Sequence, residues 1–261
     1  MYPFLLPEIF KYSIPLYDVL LAIGIIAMFI YIINRFEKTD GFSRSATNRL
    51  IILISISLVF ALIFSFLLDG IWHSIKEGEL TFGSVTFLGG LIGGLSTFLI
   101  LMKYFYKEGI KDLRKIMNTV IVGVVLAHAF GRIGCFLAGC CFGIPTDSFL
   151  GVIFPHGHAS QVFPGETVYP TQLFEAFFLF TLFIGLDRIS KFKTFEIETY
   201  LIGYGIWRIL IEFIRGDDRG SVFTLFTTEY KVFPTPSQFI SVFMIGFGIY
   251  LIIRRKKDAK I

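Results

Sequence analysis

Arg208, Glu212 and Arg215 stand at i, i+4 and i+7, the spacing that sets three side chains on one face of a helix. The surrounding segment is otherwise apolar, and an arginine inside a membrane helix costs at least about 2.5–3.5 kcal/mol, so it snorkels, pairs or faces a polar cavity. Arg132 stands in a second apolar segment between Gly131 and Gly134, which let backbone or a ligand come close. Guanidinium donates in a planar fork that matches phosphate oxygens, and a low-dielectric surround strengthens the attraction. Two helices aiming guanidinium groups at one pocket would therefore bind an anion, and in a bilayer the most abundant phosphate is on a lipid. The plainer reading is that Arg132, Arg215 and Arg219 lie among headgroups while Glu212 neutralises Arg208.

Other polar groups fall near the same end of the apolar segments. Gln172 and Glu175, three residues apart at the opening of an apolar stretch, either share the pocket or cap and compensate a helix start. His128 precedes Arg132 by four residues on the same helical face, and is a candidate base or a partner for a neighbouring helix. The only three cysteines, Cys135, Cys140 and Cys141, are site thiols, a disulfide of Cys135 with Cys140 or Cys141, or small packing residues. Three thiols without an evident fourth ligand make an incomplete zinc site, so no metal is expected. His156 and His158 either reach the site from a loop or are solvated.

The elements that must position these groups follow from composition. With 54% hydrophobic and 17% charged residues over 261 positions, the chain is too apolar for an ordinary soluble domain. Segments 16–34, 49–68, 85–102, 116–136, 170–187, 198–215 and 237–253 approach the roughly 17–25 residues a membrane helix needs. Seventeen of the 24 Lys and Arg residues crowd 34–49, 103–115, 188–193 and 254–260, which places those stretches in the cytoplasm. The N-terminus, 69–84 and the loops 137–169 and 216–236 then lie outside. The basic residues sit beside spans, so the net charge of +4 does not argue for nucleic acid. The expectation is an all-α, polytopic membrane protein over residues 1–261, a single membrane domain of seven transmembrane helices. Loops 137–169 and 216–236 form a small outer-face head, and residues 1–15 an interfacial N-terminal segment. No cleavable signal peptide is expected, because Glu8 and Lys11 precede the first apolar stretch, which reads as a retained span.

Gly89-Gly90-Leu91-Ile92-Gly93, Gly131-Arg132-Ile133-Gly134-Cys135-Phe136, Tyr169 through Glu175, and Arg208 with Glu212 and Arg215 together resemble the prolipoprotein diacylglyceryl transferase family. The resemblance runs from about Tyr17 to the last span. It implies a bacterial inner-membrane enzyme, without cofactor, that moves the diacylglyceryl group of phosphatidylglycerol onto the thiol of a prolipoprotein lipobox peptide and releases glycerol phosphate. By position, Arg132 and Arg208 would hold the lipid phosphate, Glu212 would orient Arg208, and Arg215 would add field strength. Tyr17 matches an early functional tyrosine. Gly89, Gly90 and Gly134, with Gln172 and Glu175, would complete the substrate-binding set.

Departures mark a divergent, Cys-rich-signature branch. Leu88 stands where the family usually has histidine, Cys135 where it has asparagine, Cys140 where it has glutamate, and Asn118 where aspartate is frequent. Leucine cannot accept a proton, so the thiol is activated differently, the acceptor differs, or the chain binds or moves lipid without chemistry. A transporter ranks below these, because most spans carry no charge at mid-depth and no repeated halves are visible.

Overall fold

The computed structural model describes residues 4–5, 14–77, 86–189, 192–217, 224–228 and 232–258. Within them the chain is mostly helical: α1 (Leu16–Lys38), α2 (Arg44–Glu77), α3 (Phe87–Phe105), α4 (Leu113–Ala138), the short α5 (His158–Val162), α6 (Thr171–Arg188), α7 (Glu196–Glu212) and α8 (Pro236–Asp258). Among the described residues, strands occur only as two-residue antiparallel pairs: β1 (Phe4–Leu5) with β2 (Ile14–Pro15), β3 (Val152–Ile153) with β4 (Thr167–Val168), and β5 (Phe226–Thr227) with β6 (Val232–Phe233). Most of the expected interfacial segment 1–15 lies outside the described residues, as do Asp218 and Arg219.

Four helical stretches are long and apolar enough to cross a bilayer: Leu16–Lys38, Arg44–Ile71, Lys107–Ala138 and Pro236–Lys257, with Gly89–Phe105 a shorter apolar helix. Helices suit that setting because they satisfy their own backbone groups. Side chains such as Ile26, Leu62, Ile100, Phe177 and Phe243 are exposed, an inversion that a hydrocarbon surround explains. Buried charges cluster instead on α6 and α7, at Glu175, Glu196, Glu198, Arg208 and Glu212.

The chain divides into two compact units. Residues 33–116 form one, dominated by an antiparallel α2/α3 pair in which glycine permits close approach. A methyl group on Gly89 would come within 2.6 Å of the Phe64 carbonyl oxygen, and Gly90 faces Ala61 and Ser65. The expected binding glycines of α3 are therefore packed against α2.

The other unit comprises residues 1–32 and 117–261. Here α1 runs antiparallel to α4 along a seam of small residues: Gly24 meets Ala127, Gly123 meets Met28 and Ile32, and Gly134 meets Tyr17. Val122, Val125 and Ala129 of α4 pack with Leu179 and Leu186 of α6 and Tyr200 and Tyr204 of α7. Asn118 Oδ1 accepts from the Ile197 N–H (3.4 Å), so α4 caps the start of α7. Between α4 and α6 a small lobe closes over Phe142, Phe154, Ala159 and Val168.

Two sequence devices fix the helix ends that matter. At the end of α4, the Cys140 N–H bonds the Cys135 carbonyl (3.2 Å), the Gly139 N–H bonds the Phe136 carbonyl (3.2 Å), and Gly139 has φ +67°, a Schellman closure. A side chain on Gly139 would also run into the His156 carbonyl. Gly139→Ala should cost about 1–3 kcal/mol, read as a lower thermal unfolding midpoint; an unchanged midpoint would contradict the strain. At the start of α8, the Thr235 N–H donates to Gln238 Oε1 (3.2 Å) and the Gln238 N–H to Thr235 Oγ1 (3.4 Å), a reciprocal capping box with Pro236 at the first helical position.

A short backbone ladder then draws three helix ends together. The Gly216 N–H bonds the Phe142 carbonyl and the Ile144 N–H the Ile214 carbonyl, each at 2.9 Å. On the other edge the Gly143 N–H bonds the Tyr169 carbonyl (2.9 Å) and the Thr146 N–H the Thr167 carbonyl (2.8 Å). Residues 142–146, which leave α4, are thus held between the chain that enters α6 and the chain that leaves α7. Gly143 and Gly216 lie where these backbones nearly touch.

Candidate active site

The ladder brings Arg132 of α4, Glu175 of α6 and Arg208 and Glu212 of α7 into one buried cluster. Arg132 Nη2 lies 3.0 Å from Glu175 Oε1, which also accepts from the Tyr204 hydroxyl at 2.8 Å. Arg208 Nη2 lies 2.9 Å from Glu212 Oε2 and donates to Ser237 Oγ of α8, also at 2.9 Å. Arg215 reaches Glu212 Oε2 at 3.8 Å and Glu175 Oε2 at 4.0 Å, so the three arginines belong to one network.

The position of Arg215 corrects the helical reading. The α-helix stops at Glu212, and Arg215 sits in an extended bridge opposite Gly143 rather than on the helix face. The ladder captures the chain there. Its guanidinium is clamped in a fork by Asp217, with Nε–Oδ1 at 2.9 Å and Nη2–Oδ2 at 2.6 Å.

Three guanidiniums thus meet Glu175, Glu212 and Asp217, a balance that lets charge reside among apolar helices. Two features leave donor capacity for an anion. Arg208 Nη1 is buried and has no hydrogen-bond partner among the described residues, and a buried unsatisfied donor costs about 1–3 kcal/mol or more when charged. The Arg132 side chain keeps 13% exposure where its partner Glu175 keeps 1%, so it is the cluster's outlet. One residue earlier, a methyl group on Gly131 would meet nothing within 4 Å.

His128 also joins the cluster, but in a defined role: Arg132 Nε donates to His128 Nε2 at 3.2 Å. That nitrogen therefore accepts, and the ring's single N–H proton sits on Nδ1. The imidazole lies edge-on to Tyr204, ring centroids 5.4 Å apart. His156 and His158 are exposed, and His158 packs against Phe142 in the small lobe.

Tyr17, half-buried in the first turn of α1, rests on Gly134, which therefore serves helix approach. Gln172 Nε2 donates to the Cys140 carbonyl (2.6 Å) and Thr171 Oγ1 to the Cys141 carbonyl (2.8 Å). The opening of α6 is thereby tied to the cysteine turn, which fixes where Glu175 points. The disulfide option is not taken: Cys135, Cys140 and Cys141 are not joined by a disulfide, and their sulfurs gather in a triangle with all separations within 4.8 Å. The neighbouring Cys135 and Cys140 side chains, aided by the fields of Arg215 and Arg132, hold the Cys141 thiol below the usual range against the opposing effect of burial.

Tyr204, Ser237 and Asp217 are the members of this cluster that sequence reasoning missed. Tyr204 had a signal, since Tyr200, Tyr204, Arg208 and Glu212 recur every four residues along one stripe. Ser237 and Asp217 had none, because their roles depend on the capping box and the ladder.

The family model described as prolipoprotein diacylglyceryl transferase matches residues 5–254. A phosphatidylglycerol–prolipoprotein diacylglyceryl transferase of Clostridium tetani is 34% identical over 253 residues, 94% of this chain and 94% of that protein. A phosphatidylglycerol–prolipoprotein diacylglyceryl transferase 2 of Clostridium perfringens is 33% identical over 258 residues, 94% and 93% of the two chains. One of Dehalococcoides mccartyi is 25% identical over 249 residues, 94% and 90%.

Proposed function

The chain belongs to the prolipoprotein diacylglyceryl transferase family, and from that premise we propose that it transfers the diacylglyceryl group of phosphatidylglycerol to a prolipoprotein cysteine within the lipobox. The sulfur–carbon bond forms as the glyceryl carbon–oxygen bond to phosphate breaks. The thiol proton ends on the released glycerol phosphate, and a thioether remains. Negative charge grows on the departing phosphate, so the residues that matter are preorganised donors aimed at it.

The observation that carries this reading is Arg208 Nη1, a buried guanidinium nitrogen without a hydrogen-bond partner among the described residues, in the same ion-pair network as Arg132. Arg208 and Arg132 hold the phosphate oxygens, Glu212 and Ser237 fix the plane of Arg208, and Glu175 with Tyr204 fixes Arg132. Arg215 adds field while remaining clamped to Asp217. Tyr17, on α1 beside Gly134, borders the same end of α4. The seven helices α1 to α4 and α6 to α8 cross a bacterial inner membrane, with the N-terminus and the small lobe outside and the basic C-terminal tail inside. Phe149, 93% exposed, suits a lobe lying against headgroups.

His128 acts as a positioning residue rather than the base, because its accepting nitrogen is engaged by Arg132. His128→Ala should lower transfer about tenfold to a hundredfold, the loss of a hydrogen bond to a charged group, without removing a limb of the pH–rate profile. His128→Gln, which keeps an acceptor, should recover part of it. A vanished acidic limb would restore the general-base assignment, since a base is lost by protonation at low pH.

Labelled phosphatidylglycerol in vesicles with a lipobox peptide tests the reaction. Thioether product with equimolar glycerol phosphate supports the transferase. Saturable lipid binding without turnover supports a lipid-binding protein that has lost the chemistry, the reading Leu88 favours. Complementation of cells depleted of their own transferase tests the same point in vivo.

A further inference from the structure

The spacing of the cysteines acquires meaning from the closure of α4. In a Schellman motif the third residue from the helix end and the second residue beyond it are brought side by side, commonly for a hydrophobic contact. Cys135 and Cys140 occupy those two positions, as the Cys140 N–H to Cys135 carbonyl bond (3.2 Å) shows. Cys141, at φ +61°, then turns back toward the pair. The result is a triangle of three thiols with sulfur separations within 4.8 Å. A helix end needs only one contact of this kind.

The dimensions fit a metal. With metal–sulfur bonds of about 2.3 Å, three thiolates around one ion in a plane stand roughly 4.0 Å apart, so the triangle needs to contract by less than about 1 Å. The frame is rigid on both sides: Thr171 and Gln172 hold the Cys141 and Cys140 carbonyls, and Gly139 is locked against His156. Three thiolates around a monovalent ion leave two negative charges in excess, and the Arg215 and Arg132 guanidiniums exert a favourable field at Cys141. No histidine or carboxylate joins the group as a fourth ligand among the described residues. Soft thiolate donors in threefold number suit a monovalent d10 ion, whereas zinc(II) asks for four.

We propose that Cys135, Cys140 and Cys141 form a three-thiolate site for one thiophilic monovalent cation of the copper(I) class. The site stands independently of the transferase reading, since its test reads metal uptake and not turnover.

The reduced, purified protein is titrated anaerobically with copper(I) held by a competing chelator, while sulfur-to-copper charge-transfer absorption is recorded. One ion per chain is expected. Cys135→Ser, Cys140→Ser and Cys141→Ser should each weaken binding by more than the roughly 10–100-fold that loss of an outer-shell partner costs. A second arm needs no substitution: a reversible methanethiosulfonate block of the wild-type thiols should abolish uptake, and reduction should restore it. Uptake by the triple serine variant equal to wild type, uptake unaffected by the block, or tighter binding of zinc(II) than copper(I) under the same competition would each overturn the assignment.

Discussion

Arg208→Ala is expected to lower diacylglyceryl transfer by about 10²–10³-fold, the cost of removing one preorganised donor from a developing anion. The loss arises in chemistry more than in folding. When the guanidinium goes, Glu212 keeps Arg215 at 3.8 Å, so no carboxylate is stranded. Ser237 is released from one donor but remains on the capped first turn of α8. Arg208→Lys keeps the charge and loses the fork, because an ammonium cannot satisfy Glu212, Ser237 and a phosphate oxygen in one plane. Its rate should therefore lie nearer the alanine variant than the wild type. The measurement is thioether formation from vesicle-borne phosphatidylglycerol, with thermal unfolding as the control. A fall in rate matched by an equal fall in unfolding temperature would remove the phosphate-binding role.

Glu175→Ala is expected to destabilise the protein by about 3–5 kcal/mol, the cost of breaking a buried ion pair from one side. Glu175 is fully buried and serves three partners: Arg132 at 3.0 Å, the Tyr204 hydroxyl at 2.8 Å and Arg215 at 4.0 Å. Its removal leaves Arg132 with a neutral imidazole and leaves the tyrosine hydroxyl without its acceptor. Glu175→Gln retains an oxygen for Tyr204 and should lose less, although the charge balance of the cluster is still broken. Thermal unfolding in a mild detergent separates the variants, with the order wild type, glutamine, alanine. If alanine unfolds with the wild type, the pair is not the tie between α4 and α6 described above.

The apolar segments were legible because hydrocarbon thickness dictates a length that few other structures share. Each expected segment holds a helix, though α2 extends over 44–77 rather than 49–68, because its polar ends remain helical beyond the apolar run. That Arg132 and Arg208 could share one ion-pair network was legible from their places near the ends of two apolar segments. The failure at Arg215 is instructive. Periodicity continues through it, but backbone pairing with Gly143 is a long-range event that no local spacing reports. Gly89 and Gly90 show the converse, since the same small residues suit a ligand or a neighbouring helix, and only the position of Phe64 and Ser65 distinguishes the two. For the cysteines, spacing alone left disulfide, packing and site thiols open. The φ of Gly139 and Cys141 is what gathers all three.

The pairing of Arg132 with Glu175 also has a temporal side. A ribosome completes α4 before it begins α6, and at roughly 5–20 residues per second the carboxylate follows its guanidinium by some seconds. During that interval α4 holds a cation in the bilayer without its acidic partner, and the translocation machinery must retain the segment on its apolar content alone. The neutral cluster of the finished protein is thus assembled from a charged precursor, and its last contributor, Ser237, arrives only with the final helix.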